Sequence, residues 1–372
     1  MHNNRYDVVI IGAGFAGLAC ARELAHQGLR TLVLEKKPWP GTKVHTTGIV
    51  VKELAEVWHP PARLTKKISQ VRLYSPRLDY IDLRAPGYYF LATDTRALLR
   101  WHAEQAIQAG ATLRYDSHYR ASSFAGDYHS FGGSDLRSRY LIGCDGVQSQ
   151  VARRYALGRN RDLLFGIEAE FEPVPGLSDD HLHVFLDRDI ACGYIAWMVP
   201  GVQVTQIGLA TRMPVRPVLD KFLHKLAPLW RIDKAAIKSI RSGLIPCGGM
   251  VDPFYGDEVM LLGDAAGMVS PLTGGGIQPA VHFGARAGTR VADYLLQQGG
   301  DPGRALRPEL PGYACKRSLR FLLDHLPFNN RVCADLFRTP AFRALAQTIF
   351  FHHRGLFSAA AWRDLLHLGV ET

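Results

Sequence analysis

The feature that most constrains this chain is a glycine-rich turn near its start. A run of mostly apolar residues, Tyr6 to Ile11, leads directly into Gly12-Ala-Gly-Phe-Ala-Gly17. Residues 18–27 then place apolar side chains on one face at helical spacing, and residues 31–34 are typical of a second strand that ends at Glu35. The order strand, glycine turn, helix and strand predicts a βαβ unit of a parallel sheet.

Each glycine of this turn has a physical role in binding a dinucleotide. Gly12 permits the tight turn, Gly14 lets a pyrophosphate approach the backbone, and Gly17 lets the helix pack closely on the strand. The N–H groups at the start of the helix attract the phosphates. Glu35 can accept hydrogen bonds from a ribose 2′-hydroxyl and would repel a 2′-phosphate. The sequence therefore predicts a dinucleotide site at this turn.

The rest of the chain interrupts this pattern with strand-rich segments. Alternating apolar and polar residues predict a hairpin around the turn Ser75-Pro76, and a helical period predicts a helix that Gly110 ends. The predicted elements after Glu35 are strands at 70–74, 78–83, 137–143, 165–171, 181–186, 202–209 and 259–263 and helices at 95–109 and 280–292. This order indicates a dinucleotide-binding domain split by two β-rich insertions.

Composition excludes several classes of protein. The chain is 47% hydrophobic and 21% charged, as globular proteins are, and no apolar run approaches the roughly 18 residues of a membrane span. Its formal charge of +10 is dispersed over single arginines, which disfavours nucleic acid as a partner. The six cysteines include no Cys-X-X-Cys pair, so we expect no metal site and no dithiol centre. The start of the chain lacks the features of a signal peptide, which predicts a cytoplasmic location.

Two further segments accompany the N-terminal turn. Cys144-Asp145-Gly146 follows a predicted strand, and Gly263-Asp264-Ala265-Ala266-Gly267 precedes Pro271-Leu272-Thr273-Gly274-Gly275-Gly276-Ile277. Together, over residues 5–300, these motifs resemble the flavoprotein family that contains p-hydroxybenzoate hydroxylase, the flavin halogenases and the geranylgeranyl reductases. The resemblance is closest to the geranylgeranyl reductases, whose two glycine-rich signatures stand here nearly intact. Gly193-Tyr194…Trp197-Met198-Val199-Pro200 is a partial match to a third signature of that group.

The resemblance implies that FAD is the cofactor and that NADPH or NADH is the external electron donor. It also implies that Asp264 holds the flavin ribitol and that Arg96 reaches the pyrophosphate. The N–H groups before the second glycine-rich helix would favour the negatively charged reduced flavin. The expected cofactor-binding residues are Gly12, Gly14, Phe15, Ala16, Gly17, Glu35, Lys36, His45, Thr46, Arg96, Asp145, Gly263, Asp264, Gly274, Gly275, Gly276 and Ile277.

The chain departs from the geranylgeranyl reductases after the first βαβ unit. Those enzymes carry a cysteine–glycine cluster there, whereas this chain has Thr46 or Thr47 in place of the cysteine. His45 could supply a proton, contact phosphate or be a plain loop residue, and Trp197 would line the substrate cavity. No residue stands out as the catalytic acid or base, and the candidates are His45, Thr46, Thr47 and Trp197.

The resemblance implies an FAD-dependent oxidoreductase that reduces a carbon–carbon double bond of an apolar substrate by hydride transfer from reduced flavin. One alternative is a monooxygenase that acts on a small aromatic or apolar substrate through a flavin C4a-hydroperoxide. A halogenase is disfavoured because Ile195 occupies the position of the first tryptophan in the halogenase motif. A flavin-binding protein without activity is the remaining reading.

We therefore expect an α/β protein with a Rossmann-like FAD-binding domain split in sequence, a mixed β-sheet substrate domain and a C-terminal helical segment. The expected boundaries are 1–67, 94–160 and 250–300 for the FAD-binding domain, 68–93 and 161–249 for the substrate domain, and 301–372 for the helical segment. The last segment carries nine Arg and one Lys against six acidic residues and mixes them with aromatic residues at 321–328 and 342–357. It predicts either ordinary packed helices or a basic amphipathic cap that covers an apolar pocket or contacts anionic membrane.

Overall fold

The computed structural model describes residues 4–325, 330–337 and 339–351 of the chain. The strands are β1 (Arg5–Ile11), β2 (Thr31–Leu34), β3 (Ile49–Val51), β4 (Thr65–Ile68), β5 (Gln70–Tyr74), β6 (Tyr80–Arg84), β7 (Phe90–Thr93), β8 (Thr112–Arg114), β9 (Ser122–Ala125), β10 (Tyr128–Phe131), β11 (Arg137–Gly143), β12 (Leu163–Phe171), β13 (His181–Phe185), β14 (Ala196–Pro200), β15 (Thr205–Arg212), β16 (Ile237–Pro246), β17 (Tyr255–Gly256) and β18 (Val259–Leu261). The helices are α1 (Phe15–His26), α2 (Lys52–Trp58), α3 (Thr95–Gln108), α4 (Gln150–Arg154), α5 (Leu219–Leu226), α6 (Ile277–Leu295), α7 (Pro302–Leu306), α8 (Ala314–His325), α9 (Asn330–Leu336) and α10 (Pro340–Phe351).

The chain forms two compact units. The first unit comprises the residues up to 44 together with 95–162 and 245–313, and the second comprises 45–94, 163–244 and the described residues from 314 onward. Each unit draws on separated parts of the chain, as the predicted split organisation requires. The two units have separate sheets and are described in turn.

The first unit is built on a sheet whose central strands are parallel. Its order is β17-β18-β11-β1-β2-β8, and β1 runs parallel to both β11 and β2. β11 in turn runs parallel to β18, while Val8, Val9 and Ile10 of β1 are fully buried. The carboxyl ends of β1, β2, β11 and β18 therefore meet at one edge. Ligands of open α/β sheets bind at such an edge, where the chain leaves adjacent strands in opposite directions.

Small residues let α1 approach its neighbours closely. A Cβ at Gly17 would lie 2.1 Å from the Gly12 carbonyl oxygen, so the first turn of α1 packs directly on the glycine-rich turn. A Cβ at Gly284 of α6 would lie 2.6 Å from the Ala16 carbonyl oxygen. These contacts hold the N-terminus of α1 at the carboxyl edge of the sheet.

The second unit is mostly antiparallel. Its larger sheet has the order β16-β12-β15-β14-β13-β5-β6, with β13 and β5 parallel, and a smaller sheet has the order β3-β7-β4. One face of the larger sheet is apolar, because Phe171 and Met198 are buried in one cluster with Phe222 of α5. Glu168 and Glu170 alternate with the apolar residues of β12 and so belong to the opposite face.

Most predicted elements are confirmed with small shifts at their ends. β5, β11 and β13 begin where the sequence predicts, and α3 ends one residue early. The strand predicted from residue 202 begins instead at Thr205, because the Gly201 N–H donates to the Val204 carbonyl at 2.8 Å and Gln203 has a φ of 58°. The strand predicted at 259–263 ends at Leu261 and is followed by a 3₁₀ turn, Gly263–Ala266.

The compact units differ from the expected domain boundaries by a few residues at 94, 161–162 and 245–249, and by longer segments elsewhere. Residues 45–67 were expected in the FAD-binding domain but lie in the second unit, where β3 and β4 both pair with β7. Residues 301–313 belong to the first unit and the described residues from 314 onward to the second, rather than to a separate segment. Local patterning missed the placement of residues 45–67 because the partner strand, β7, follows in the chain only after β5 and β6.

The C-terminal part of the described chain is helical, as expected, with α8, α9 and α10. Residues 326–328 and 352–357 of the two predicted aromatic-rich stretches lie outside the described residues. Among the residues that are described, no helix has both the length and the apolar character needed to cross a bilayer.

Candidate functional site

The N-terminal turn of the first unit leaves one stretch of backbone open. Gly12 has a φ of 105°, and a Cβ there would lie 2.3 Å from the Cys144 carbonyl oxygen, so this position requires glycine. Gly14 is the N-cap of α1 and has no capping side chain. A Cβ built at Gly14 meets no neighbouring heavy atom of the described chain within 4 Å. A ligand can thus approach the backbone at Gly14, where the sequence predicts the pyrophosphate, and Phe15 and Ala16 begin the helix behind it.

Glu35 lies at the end of β2 and braces this turn. Its Oε2 accepts a hydrogen bond from the Ala13 N–H at 2.7 Å, and its Oε1 accepts one from the Lys37 N–H at 2.9 Å. The carboxylate is buried and thereby ties the glycine turn to the second strand, a role beyond the predicted ribose contact. Each carboxylate oxygen can accept a further hydrogen bond, so ribose binding remains compatible with this role. Lys36 is exposed beside it.

Two aspartates follow the other parallel strands at the same edge. Asp145 follows β11, and its Oδ2 accepts from the backbone of Gln150 at 2.6 Å, at the start of α4. Its Oδ1 is buried and has no hydrogen-bond partner within the described part of the chain. Asp264 lies in the turn after β18; its side chain is exposed, yet the protein around it limits its hydration, which raises its pKa to about 6.

The triple-glycine segment forms the turn that precedes α6. The Gly274 N–H donates to the Ser270 carbonyl at 2.9 Å, and the Ser270 N–H donates to the Gly275 carbonyl at 3.1 Å. Gly274 has a φ of 63°, whereas a Cβ at Gly275 would meet its nearest atom only at 3.4 Å. Gly276 is the N-cap of α6, without a capping side chain, and Ile277 is the first helical residue. This helix terminus can therefore face a negatively charged group.

Arg96 and Gly263 belong to the same unit as the turn. Arg96 is exposed in the first turn of α3, and its carbonyl would lie 2.5 Å from a Cβ at Gly41. Gly263 has a φ of 58°, and a Cβ there would lie 3.0 Å from the Ala16 Cβ. This approach brings the turn that carries Asp264 against the start of α1.

Two residues that sequence reasoning missed support this edge. The Asn160 side-chain amide donates to the Asp264 carbonyl at 2.8 Å. His102 of α3 is fully buried, with its Nε2 3.2 Å from the Phe15 carbonyl. Burial lowers the pKa of His102 to about 3, so the ring is neutral at pH 7 and Nε2–H donates to that carbonyl. Neither residue lies in a recognisable motif, so the sequence carried no signal for them.

The candidates for substrate contact or proton transfer all lie in the second unit: His45, Thr46, Thr47 and Trp197. His45 is exposed, and its Nδ1 lies 2.7 Å from the Ser242 carbonyl, to which it donates. The Thr47 hydroxyl and the Trp197 indole N–H both donate to one oxygen of Glu168, at 2.5 and 2.6 Å. His45 and Thr46 were expected in the FAD-binding domain, whereas both lie in the second unit.

The residues of the first unit fit a dinucleotide that contains a flavin. The open backbone at Gly14 suits a pyrophosphate. Buried polar atoms are nearly always hydrogen-bonded, so the unpartnered oxygen of Asp145 marks a place for a donor such as a sugar or ribitol hydroxyl. The accessible carboxylate of Asp264 can accept from the same kind of donor. FAD carries all of these groups.

Comparison with known proteins supports the same assignment. Residues 7–133 match the model of a family described as FAD dependent oxidoreductase. Digeranylgeranylglycerophospholipid reductase 2 of Methanopyrus kandleri is 28% identical over 311 residues, which is 78% of this chain and 78% of that protein.

Solved structures share the fold. A geranylgeranyl bacteriochlorophyll reductase-like protein from Thermoplasma acidophilum superposes with a TM-score of 0.77 at 19% identity, covering 98% of this chain and 99% of that one. A flavin-dependent brominase, Bmp2, superposes with a TM-score of 0.69 at 17% identity, covering 98% and 99%. The Rossmann-like architecture with its second, β-rich part is therefore that of known flavoproteins.

Proposed function

We propose that this chain, which belongs to the FAD-dependent oxidoreductases, reduces a carbon–carbon double bond of an apolar, isoprenoid-type substrate. The observation that carries the proposal is its similarity, over 78% of the chain, to a protein named as a reductase of a digeranylgeranyl lipid. The edge of the first unit supports it, since Gly14, Asp145 and Asp264 suit the pyrophosphate and hydroxyls of FAD.

The chemistry divides between cofactor and protein. When bound and reduced, FAD supplies a hydride to one carbon of the double bond. The double bond loses its π pair as two C–H bonds form, so a proton must reach the second carbon from elsewhere. A group that exchanges protons near neutral pH and has a defined position suits this task.

His45 is our candidate for that proton donor. Its Nδ1–H is tied to the Ser242 carbonyl, so Nε2 is the ring nitrogen through which a proton would be given to the substrate. Its position is further defined by β16, because a Cβ at Gly243 would lie 3.0 Å from the His45 Cβ. Replacement by glutamine would keep a polar side chain, but its amide has no proton acidic enough to transfer near neutral pH. We expect His45→Gln to slow alkene reduction when it is measured at saturating FAD.

Rapid mixing of reduced holoenzyme with two acceptors tests the proposed function. The flavin is reduced anaerobically with dithionite, and in separate experiments with NADPH and with NADH. The reduced protein is then mixed with either a geranylgeranyl lipid or oxygen. We expect the absorbance of oxidised flavin to return with the lipid in the absence of oxygen. A flavin that stays reduced with the lipid alone, together with a hydroxylated lipid when lipid and oxygen are added together, would instead identify a monooxygenase.

We also propose that α8 brings the enzyme to an anionic membrane. Phe321 is 60% exposed and Leu322 is 47% exposed, and Arg317 is exposed one helical turn earlier. An exposed apolar pair beside basic residues suits the interface of an anionic bilayer, which a cytoplasmic enzyme would need in order to reach a lipid substrate. The matched variants are Phe321→Ser with Leu322→Ser and, as a control, Val57→Ser, another exposed apolar residue.

Co-sedimentation with vesicles measures this contact. We expect the wild type and the Val57→Ser control to sediment with vesicles that contain phosphatidylglycerol, and less with vesicles of phosphatidylcholine alone. The double serine variant should remain in the supernatant. Equal sedimentation of all three proteins, or none with anionic vesicles, would exclude α8 as a membrane contact.

A further inference from the structure

One buried carboxylate in the second unit collects hydrogen bonds from three separate elements. Glu168 of β12 is 3% exposed. Its Oε2 accepts from the Thr47 hydroxyl, on the loop before β3, and from the Trp197 indole N–H on β14. Its Oε1 accepts from the Arg241 Nε at 2.7 Å and also from Nη2 of the same side chain on β16. A single carboxylate therefore joins a loop and two strands to β12.

A glycine between the strands makes this arrangement possible. Glu168 pairs with Gly208 of β15, and Gly208 pairs with Trp197 of β14, so the three residues form one row across the sheet. A Cβ at Gly208 would lie 2.6 Å from the indole ring and 2.9 Å from the Glu168 Cβ. Because residue 208 has no side chain, the indole lies across β15 and its N–H reaches the carboxylate.

The loop that carries Thr47 is held a second time on the same face. The Gln206 side-chain amide donates to the Thr47 carbonyl at 3.1 Å. Gln206 is two residues from Gly208 on β15 and is 1% exposed, so this contact is shielded from water. Both the side chain and the backbone of Thr47 are thus fixed to the face of the sheet opposite α5.

The buried position of Glu168 cannot be explained by apolar packing. A buried carboxylate is disfavoured unless it is paired and hydrogen-bonded, and Arg241 provides that pairing. Arg241 also donates through Nη1 to Glu170 at 2.9 Å, and Glu170 accepts from the Ser239 hydroxyl at 2.7 Å. The same face therefore contains two acidic residues that share one arginine, but only Glu168 contacts Thr47 and Trp197 within the described residues.

We propose that Glu168 is a positioning residue that sets the plane of the Trp197 indole and the place of Thr47. These two residues then present a defined surface on which an apolar chain with double bonds can bind. The inference rests on the proposed function, because it takes Trp197 and Thr47 as part of the substrate-binding surface. It assigns the role to Glu168 rather than to its neighbour Glu170, which makes it testable with a matched pair.

The matched pair is Glu168→Gln and Glu170→Gln in the full-length holoenzyme. Glutamine keeps the shape of the side chain, but one of its two terminal atoms becomes a donor and can no longer accept from Thr47, Trp197 or Arg241. We expect Glu168→Gln to raise the KM for a geranylgeranyl lipid about tenfold or more, with little change in kcat. Flavin content and the rate of flavin reduction should be unchanged. Glu170→Gln should have a KM close to that of the wild type.

A double-mutant cycle supplies a readout that a purely structural role would not move. Trp197→Phe removes the indole donor and Thr47→Val removes the hydroxyl donor, so adding Glu168→Gln to the variant that carries both changes should raise its KM no further. Effects that multiply instead would overturn the proposal, as would equal increases in KM for Glu168→Gln and Glu170→Gln. If Glu168→Gln fails to fold, Glu168→Asp takes its place, because it keeps the charge that pairs with Arg241 while its shorter side chain draws the carboxylate away from Thr47 and Trp197.

Equilibrium binding separates this inference from the proposed reaction. The geranylgeranyl lipid is titrated into oxidised holoenzyme, and its Kd is compared among the wild type, Glu168→Gln and Glu170→Gln. If Glu168→Gln weakens lipid binding, Glu170→Gln does not, and no protein turns the lipid over, the reaction is refuted and the positioning role is supported. Equal Kd values in all three proteins would refute the positioning role while leaving the reaction intact. A wild type that binds no isoprenoid lipid would overturn both.

Discussion

Gly14→Ala should separate FAD binding from folding. Gly14 has a φ of −83° and a ψ of −177°, a conformation open to any residue, and a Cβ there meets no neighbouring atom of the described chain within 4 Å. Replacing a glycine at such a position stabilises a protein by about 0.4–1 kcal/mol through the unfolded chain. Alanine is a poorer N-cap than glycine by about the same amount. We therefore expect the free energy of unfolding of the apoprotein to change by less than about 1 kcal/mol.

The same methyl group should weaken the binding of FAD strongly. It would occupy the space through which a pyrophosphate approaches the start of α1. A displaced pyrophosphate loses hydrogen bonds from the backbone, and each bond to a charged group contributes about 1.5–3 kcal/mol. Loss of one such bond raises the Kd of FAD by about 10- to 150-fold.

Two titrations measure these effects. Urea unfolding of the apoprotein reports stability, and quenching of flavin fluorescence on binding reports the Kd of FAD. Gly17→Ala is the matched control, because the same methyl group three residues later would lie 2.1 Å from the Gly12 carbonyl oxygen. That clash should cost about 1–3 kcal/mol or more of stability. An unchanged Kd for Gly14→Ala, or a loss of stability as large as that of Gly17→Ala, would refute the reasoning.

Three further predictions concern charge and space at named residues. The folded protein raises the pKa of the Asp264 carboxyl to about 6, so its charged form destabilises the fold above that pH. Asp264→Asn should therefore leave the apoprotein at least as stable as the wild type in urea above pH 6. The same change should raise the Kd of FAD about tenfold. Gly275→Val should fold, because the nearest atom to its Cβ is 3.4 Å away, but should be purified with less flavin, and a full stoichiometric content would contradict this. Burial lowers the pKa of His129 and of His183 to about 4. Between about pH 6.5 and pH 4 the unfolded chain therefore binds more protons than the folded one. The free energy of unfolding should fall as the pH decreases through this range. His129→Gln should reduce that loss by up to about 3 kcal/mol, measured by urea unfolding at several pH values, and an unchanged pH dependence would contradict it.

The first unit could be predicted closely because its signals are local. The turn from Gly12 to Gly17, the helix behind it and the strand that ends at Glu35 are contiguous in the chain, and each shows the period of its own structure. Asp145 could be expected at the same edge because it lies two residues after the end of a buried strand. What the sequence could not show is that Glu35 hydrogen-bonds the turn itself, since this depends on the distance between two loops.

The second unit was harder to predict because its site depends on the register of distant strands. Glu168 and Glu170 were visible as polar residues that alternate with apolar ones in β12, but such a face is more often solvated. Only the pairing of β12, β15 and β14 brings Glu168, Gly208 and Trp197 into one row. No period within any one strand carries that information.

The most direct test of the account is one turnover of the reduced holoenzyme with a geranylgeranyl lipid in the absence of oxygen. The mass of the lipid product is measured together with the amount of flavin oxidised. The account predicts a product that has gained two hydrogen atoms, formed in equal amount to the oxidised flavin. An unchanged lipid with the flavin still reduced, or a product that forms only in air and has gained an oxygen atom, would contradict it.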